Sequence, residues 1–400
     1  MPRRIHLLSL SGAFMIFSLM VGQPVLPLYL QERGLPPGEV GLLVGISSFA
    51  LIITELTAMA MSRRVGRRST LLINTVAGAL AQLWFTLAMT RSEWYLSRFL
   101  LGAFRGFVWP VLFAEVSDAA PPGRAGRAFS IFWLYFGVGL LTGPLIGGWL
   151  GDASGLRAPL LLSALLGLLP AALAPSFSRQ RDAPVPLLAA FGALLRQREV
   201  VAIWTLQAIG TTVFGVYLTF LPLYAASRGI TAAQIGLIFA VGSVAFVAAQ
   251  LPSGRLLERF SPAALLIPAY LVRGAATAAV PFVGTFTALV TLNGGASIIG
   301  AVIPPVLTAR LASVAGGGAV VVMGGFNAAA DVGFFLGPTL GGIVARYGLT
   351  WPFLLALPLA AAGVVLNLMA FPRGARRAAP PNASEQMAGM SGAGRERGPL

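Results

Sequence analysis

Polar and charged residues in this 400-residue chain gather into short clusters, and long apolar stretches lie between them. Twelve of those stretches reach roughly 20 residues, the length an α-helix needs to cross about 30 Å of hydrocarbon. They fall at about 7–30, 39–62, 69–90, 93–116, 126–150, 157–177, 200–226, 233–255, 262–284, 286–309, 319–344 and 350–372. The pattern predicts an all-α membrane protein with 12 transmembrane helices and no room for a separate soluble domain.

The pattern also repeats. Pro27-Leu28-Tyr29 and Arg33-Gly34 return 195 positions later as Pro222-Leu223-Tyr224 and Arg228-Gly229. The register holds through Gly41-Leu42 against Gly236-Leu237 and on to Arg64 against Arg259. Gly143-Pro144-x-x-Gly147-Gly148 returns 194 positions later as Gly337-Pro338-x-x-Gly341-Gly342. A duplication on this scale predicts two homologous six-helix bundles that hold a substrate between them and rock against each other. The predicted organisation is an N-terminal bundle at 1–177, a cytoplasmic linker at 178–199, a C-terminal bundle at 200–372 and a disordered cytoplasmic tail at 373–400. Within the linker, 185–195 is apolar enough to lie on the membrane surface as a short helix; a plain linker fits equally well.

Composition narrows the chemistry. The chain is 56% hydrophobic and only 10% charged, with a mean hydropathy of +0.82, whereas about a quarter of a soluble protein's residues carry charge. Cysteine is absent, which excludes disulfides, thiolate metal sites and thiol nucleophiles. The one histidine, His6, is read as interfacial. All 28 basic residues are arginine, so no phosphate loop of the G-x-x-x-x-G-K-[ST] kind exists and energy must come from an ion gradient or the substrate's own. With no clustered carboxylates at metal spacing, no enzyme, cofactor or metal site is expected. The net charge of +15 invites a nucleic-acid reading, which the placement of the arginines rejects. Twenty lie on the side of the termini, five on the other, and Arg98, Arg105 and Arg273 fall inside spans. By the positive-inside rule both termini are cytoplasmic in a multi-pass protein of the cell membrane, with basic loops that favour anionic lipid. Met1-Pro2-Arg3-Arg4 leads into a span too long for the core of a signal peptide.

Several motifs resemble those of the major facilitator superfamily, over essentially all of 5–371. That family carries G-x-L-x-D-R-x-G-R-R between its second and third spans and an echo between the eighth and ninth. Here the first copy reads Met59-Ala60-Met61-Ser62-Arg63-Arg64-Val65-Gly66-Arg67-Arg68, with Met59 at the glycine and Arg63 at the aspartate. The second, Gly254-Arg255-Leu256-Leu257-Glu258-Arg259, has Glu258 at the aspartate. In the family that acid meets a helix N-terminus across the interface between halves, where the dipole favours negative charge. Arg63 cannot do so. The resemblance therefore leaves such a latch to Glu258, with Arg64 or Arg67 pairing Glu115 instead, or these arginines setting topology alone. The Gly143-Pro144 signature is similar to a mark of proton-coupled exporters. Close packing explains the same glycines, because Gly139, Gly143 and Gly147, and again Gly333, Gly337 and Gly341, stack on one helical face.

A charge at mid-bilayer costs about 2.5–3.5 kcal/mol on insertion scales, so each needs a reason. Arg98 and Arg105 are seven apart on one face with Gly102 and Trp109, and Arg98 fits the arginine that the family carries in this span. Arg98 either lines the cavity or snorkels outward; Arg105 is expected to face the cavity. Glu55 in the second span, whose repeat partner is Gln250, and Asp331 in the eleventh are the candidate proton carriers, since a carboxyl group without a fixed cationic partner can load and release a proton. The alternative makes each a permanent counter-ion for an arginine. Gln23, Trp133, Tyr135, Gln207, Thr211, Asn293 and Asn327 complete the candidate cavity, with the aromatics open to a core role as well. Arg273 has no assigned part.

Together these residues predict a secondary active transporter working by alternating access, expected to be a monomer in the bilayer, exporting a small organic molecule in exchange for protons. Proton-coupled uptake of a small, anionic nutrient is the neighbouring reading. A membrane scaffold without transport activity is the third, and it leaves the buried charges without a purpose.

Overall fold

A computed structural model describes residues 2–55, 57–121, 124–181, 192, 194–250, 252, 256–257, 259–314 and 319–371. Among them there are helices and no strands. Twelve are long and apolar enough to cross a membrane: α1 Arg3–Glu32, α2 Pro37–Glu55, α3 Arg67–Leu87, α4 Arg91–Ala119, α5 Gly126–Ser154, α6 Arg157–Ser176, α7 Arg198–Ser227, α8 Ala232–Gln250, α9 Pro262–Phe282, α10 Phe286–Val314, α11 Val322–Ala345 and α12 Trp351–Ala370. The second predicted span ends earlier than its apolar run. Helix α2 stops at Glu55, and Ala58–Val65 forms a separate short helix that carries Arg63 and Arg64. Helix α1 is interrupted between Gly22 and Leu26, ahead of Pro27. Most of the 185–195 stretch, Gly254, Glu258 and 372–400 lie outside the described residues.

Two bundles of six helices share one plan. In the first, α1 packs on α5 and α6, α2 on α4, and α3 on α4 and α6; in the second, α7 packs on α11 and α12, α8 on α10, and α9 on α10 and α12. The halves meet along α2 against α11 and α5 against α8, two contacts that exchange under the repeat.

The repeated sequence acquires a physical meaning here. Tyr29 donates its hydroxyl to the Thr86 carbonyl, and Tyr224 donates to Pro281, positions 195 apart in both cases. The guanidinium of Arg33 lies 5.1 Å from the Tyr29 ring and that of Arg228 lies 5.1 Å from the Tyr224 ring. Gly34 and Gly229 then adopt φ of 82° and 76°, a left-handed turn that glycine enters without a Cβ penalty and that ends each helix. Thr90 and Thr285, again 195 apart, cap α4 and α10 by accepting the amide of the third residue on. The Pro-Leu-Tyr…Arg-Gly signature is thus a helix-ending clasp used once per half.

Candidate functional site

The halves touch along a ladder of small and polar residues on α2 and α11. A side chain at Gly38 would press on the Gly342 carbonyl at 3.1 Å, and one at Gly41 would overlap the Pro338 carbonyl oxygen. Phe49 and Phe335 stack next, with ring centroids 5.4 Å apart. At the far end of the ladder the Glu55 and Asp331 carboxyl groups lie within hydrogen-bonding reach of each other, one from each half. Glu55 Oε2 is buried with no hydrogen-bond partner. Neither acid forms an ion pair among the described residues, so the reading of each as an arginine's permanent counter-ion is replaced by a pairing of acid with acid. Exposed Asn327 stands one turn before Asp331 on the same helix.

Arg98 and Asn293, matched at the 195 offset, do related work. Arg98 is 7% exposed; its Nη2 donates to Ser47 Oγ at 2.9 Å, and its Nε lies 3.4 Å from the Leu43 carbonyl oxygen. Asn293 is 9% exposed and donates to Ile238 O at 2.7 Å. Leu43 and Ile238 are themselves repeat partners. Both side chains therefore tie the fourth helix of a half to its second, and the expectation that they open onto a substrate cavity, or that Arg98 snorkels, gives way to that tether. The donors are held by carbonyls of a neighbouring helix because a polar group in hydrocarbon must find a partner inside the protein.

Arg105 is also displaced from its expected place. It turns into the N-terminal bundle, where it lines a cavity with Met15 and Ser18 of α1, Asn74, Thr75 and Gln82 of α3, and Gly167 of α6. Arg273 likewise points into its own half, with Cζ 5.0 Å from the Phe214 ring centroid.

The Gly-Pro signatures serve packing. A side chain at Gly143 or Gly147 would overlap Met20 or the Val21 carbonyl of α1, and one at Gly337 would overlap the Thr212 carbonyl of α7. The carbonyls of Pro144 and Pro338 instead face Gly236 of α8 and Gly41 of α2 in the opposite half. Thr211 returns its hydroxyl to Gln207 O and sits against Gly333, so it lies in the α7–α11 seam. Gln23 and Gln207 are buried at 9% exposure each, with no side-chain hydrogen bond among the described residues. Trp133 is 51% exposed at the edge of an aromatic wall formed with Trp109, Phe113 and Phe136, its ring 5.0 Å from Phe136. Tyr135 meets His6 at 3.2 Å.

Beside the loop between α2 and α3, Glu115 of α4 is fully buried and gathers four donors. Arg4 Nη2 approaches at 2.5 Å, the Ser178 amide at 2.9 Å, the Ser178 hydroxyl closes in as well, and Arg67 Nη1 lies 3.6 Å away. Arg67 also bonds Asp118 at 2.6 Å. Arg67 is thus the loop arginine beside Glu115, and Arg64 is exposed, as is Arg259 in the second copy. Gly66 turns the chain at φ 85°, and the Arg68 amide donates to Ser178 O. This loop is bound to its own half.

A carboxylate at a helix N-terminus across the halves does occur, and Asp152 supplies it. Its Oδ1 and Oδ2 each accept a backbone N–H of α8, from Ala232 and Ala233, both at 2.9 Å. The sequence carried a signal for it: Thr231-x-x-Gln234 is a capping box, which marks the start of α8 and its free amides.

The family model described as Major Facilitator Superfamily matches residues 8–316 and 203–397. Multidrug resistance protein MdtG of Citrobacter koseri is 29% identical over 89% of this chain and 90% of its own. Multidrug resistance protein 2 of Bacillus subtilis is 25% identical over 88% and 92%. Among solved structures, a POT family transporter in complex with 5-aminolevulinic acid superposes with a TM-score of 0.77 at 13% identity, covering 92% of this chain and 95% of that one. An inward-facing bacterial homologue of the lysosomal transporter Spinster gives 0.71 at 15% identity, with 92% and 95% covered.

Proposed function

This chain belongs to the Major Facilitator Superfamily, and on that premise we propose that it is a proton-coupled exporter of small organic molecules, a monomer working by alternating access. It is a multi-pass membrane transporter, and its multidrug resistance relatives favour export of drug-like compounds. The observation that carries the proton coupling is the Glu55–Asp331 pair. Two ionised carboxylates about 4 Å apart repel by about 4 kcal/mol at an effective dielectric of 20, so the touching halves hold a proton between them. Parting α2 from α11 exposes both acids to the outer solution, and closing again traps a proton taken from that side. Conformation and protonation are then one equilibrium, as antiport requires.

The arginine distribution supports cytoplasmic termini. The halves close tightly at the end away from the termini, through Asp152 and the glycine contacts, which on that topology is the inward-facing arrangement. The wall of Trp109, Phe113, Trp133 and Phe136 then offers apolar, adaptable surface to a hydrophobic substrate entering from the cytoplasm.

The test uses sealed vesicles containing the purified protein, a fluorescent cationic dye and an imposed pH gradient. The wild type drives the dye against its gradient. Glu55→Gln and Asp331→Asn lose that uphill movement while keeping dye-for-dye exchange. Uphill transport that persists in both variants refutes the assignment.

A further inference from the structure

We infer that the N-terminal bundle contains a binding site for a small monovalent anion of the halide class, held at Arg105. The site is separate from the interface between halves and stands whichever way the protein transports.

Arg105 offers five N–H donors and a full positive charge inside the membrane-spanning bundle, and its guanidinium makes no hydrogen bond and no ion pair among the described residues. The carboxylates of this half that are not exposed are committed elsewhere. Glu115 is taken by Arg4, Arg67 and Ser178, Glu39 by Arg91, and Glu55 faces Asp331. The cavity that Arg105 lines adds further donors. Gln82 is 4% exposed and Thr75 is 7% exposed; both line it and neither side chain makes a hydrogen bond among the described residues. Charged and polar groups left unmatched around one pocket point to something that occupies it.

The cavity measures about 30 Å³, a size that suits one halide ion.

The other half shows why an anion is needed here. At the 195 offset Arg105 corresponds to Gly300, and Gly78, which lines the same cavity, corresponds to Arg273. The Arg273 guanidinium lies against Gly300, where a Cβ would be 2.9 Å from its Nη1. Each half thus sets one guanidinium at the same pseudo-symmetric spot, from α4 in the first and from α9 in the second. In the second half the face of Phe214 lies 5.0 Å below the cation and offsets its charge. The position matching Phe214 in the first half is Leu19, which has no ring to offer. Where the aromatic face is missing, a cavity with amide and hydroxyl donors takes its place.

The experiment compares thermal unfolding of the full-length protein in sodium chloride, sodium bromide and sodium gluconate at equal ionic strength. Halide raises the wild-type midpoint by about 3 °C over gluconate, because a ligand that binds only the folded state stabilises it. Gln82→Leu shrinks that difference and Arg105→Gln abolishes it. Crystals of the wild type grown in bromide show an anomalous peak beside Arg105, a readout that needs no variant to fold. Equal midpoints in all three salts overturn the proposal, as does a halide effect that survives in Arg105→Gln, or the absence of bromide from the cavity.

Discussion

Removing the Asp152 carboxylate should open the face of the molecule that it now closes. In Asp152→Ala, two charge-assisted hydrogen bonds of 2.9 Å to the first amides of α8 disappear, together with a favourable charge at a helix N-terminus. Capping bonds of this kind contribute about 0.5–2 kcal/mol and the charge–dipole attraction about 0.3–1 kcal/mol when exposed. Asp152 is exposed and the freed amides gain water on opening, so the net preference for the closed state falls by about 1–2 kcal/mol. That converts to a rise of about 5- to 30-fold in the ratio of open to closed molecules. The chain has no cysteine, so a pair introduced at Ser154 and Ser227, both exposed near this end, takes spin labels without background. Pulsed dipolar spectroscopy then reads the two populations as a short and a long distance. Asp152→Asn, which keeps an acceptor and loses the charge, falls between wild type and alanine. A population ratio in Asp152→Ala within twofold of wild type would refute the claim that this carboxylate latches the halves.

Two further outcomes follow from the buried polar contacts. Glu115→Gln removes a fully buried carboxylate from Arg4, Arg67 and Ser178 and should cost about 3 kcal/mol, read as a lower midpoint in thermal or denaturant unfolding; Arg4→Ala, at the more exposed end of the pair, should cost less. Arg98→Ala removes the α4–α2 tether at a cost of about 1–3 kcal/mol. The double variant Ser47→Gly/Arg98→Asn should recover most of that loss, because it copies the Gly242 and Asn293 pair of the second half, where a Cβ at Gly242 would overlap the Asn293 amide. Arg98→Asn alone should not recover it, and equal unfolding midpoints for the single and double variants would contradict the tether.

Much of the architecture was legible because membrane insertion imposes a rule that sequence can display. An apolar run of the right length must become a helix, since no other single segment satisfies its own backbone in hydrocarbon. The duplication was legible because the same clasp and caps recur at one spacing, from Tyr29 and Thr90 to Tyr224 and Thr285. What a helical position faces was harder to read. Arg98 and Arg105 share a face by spacing, yet one side chain reaches α2 and the other reaches α3. A long side chain chooses its partner among several neighbouring helices, and those neighbours are set by packing. The motif resemblance points to Glu258, which lies outside the described residues, whereas Asp152 meets an amide 80 residues away, a separation that no local pattern displays.

The sequence by itself determined the number of crossings, the twofold repeat and the stock of charges that the membrane interior must accommodate, because helix length, hydropathy and repetition are properties of the chain read in order. Only the tertiary structure decided which of those charges meet. Glu55 found Asp331, Arg98 found a carbonyl, and Arg105 found a polar cavity within its own half. Each depends on which helices lie side by side, and that is governed by close contact of glycine-lined backbones whose interactions are short-ranged and span the whole length of the chain.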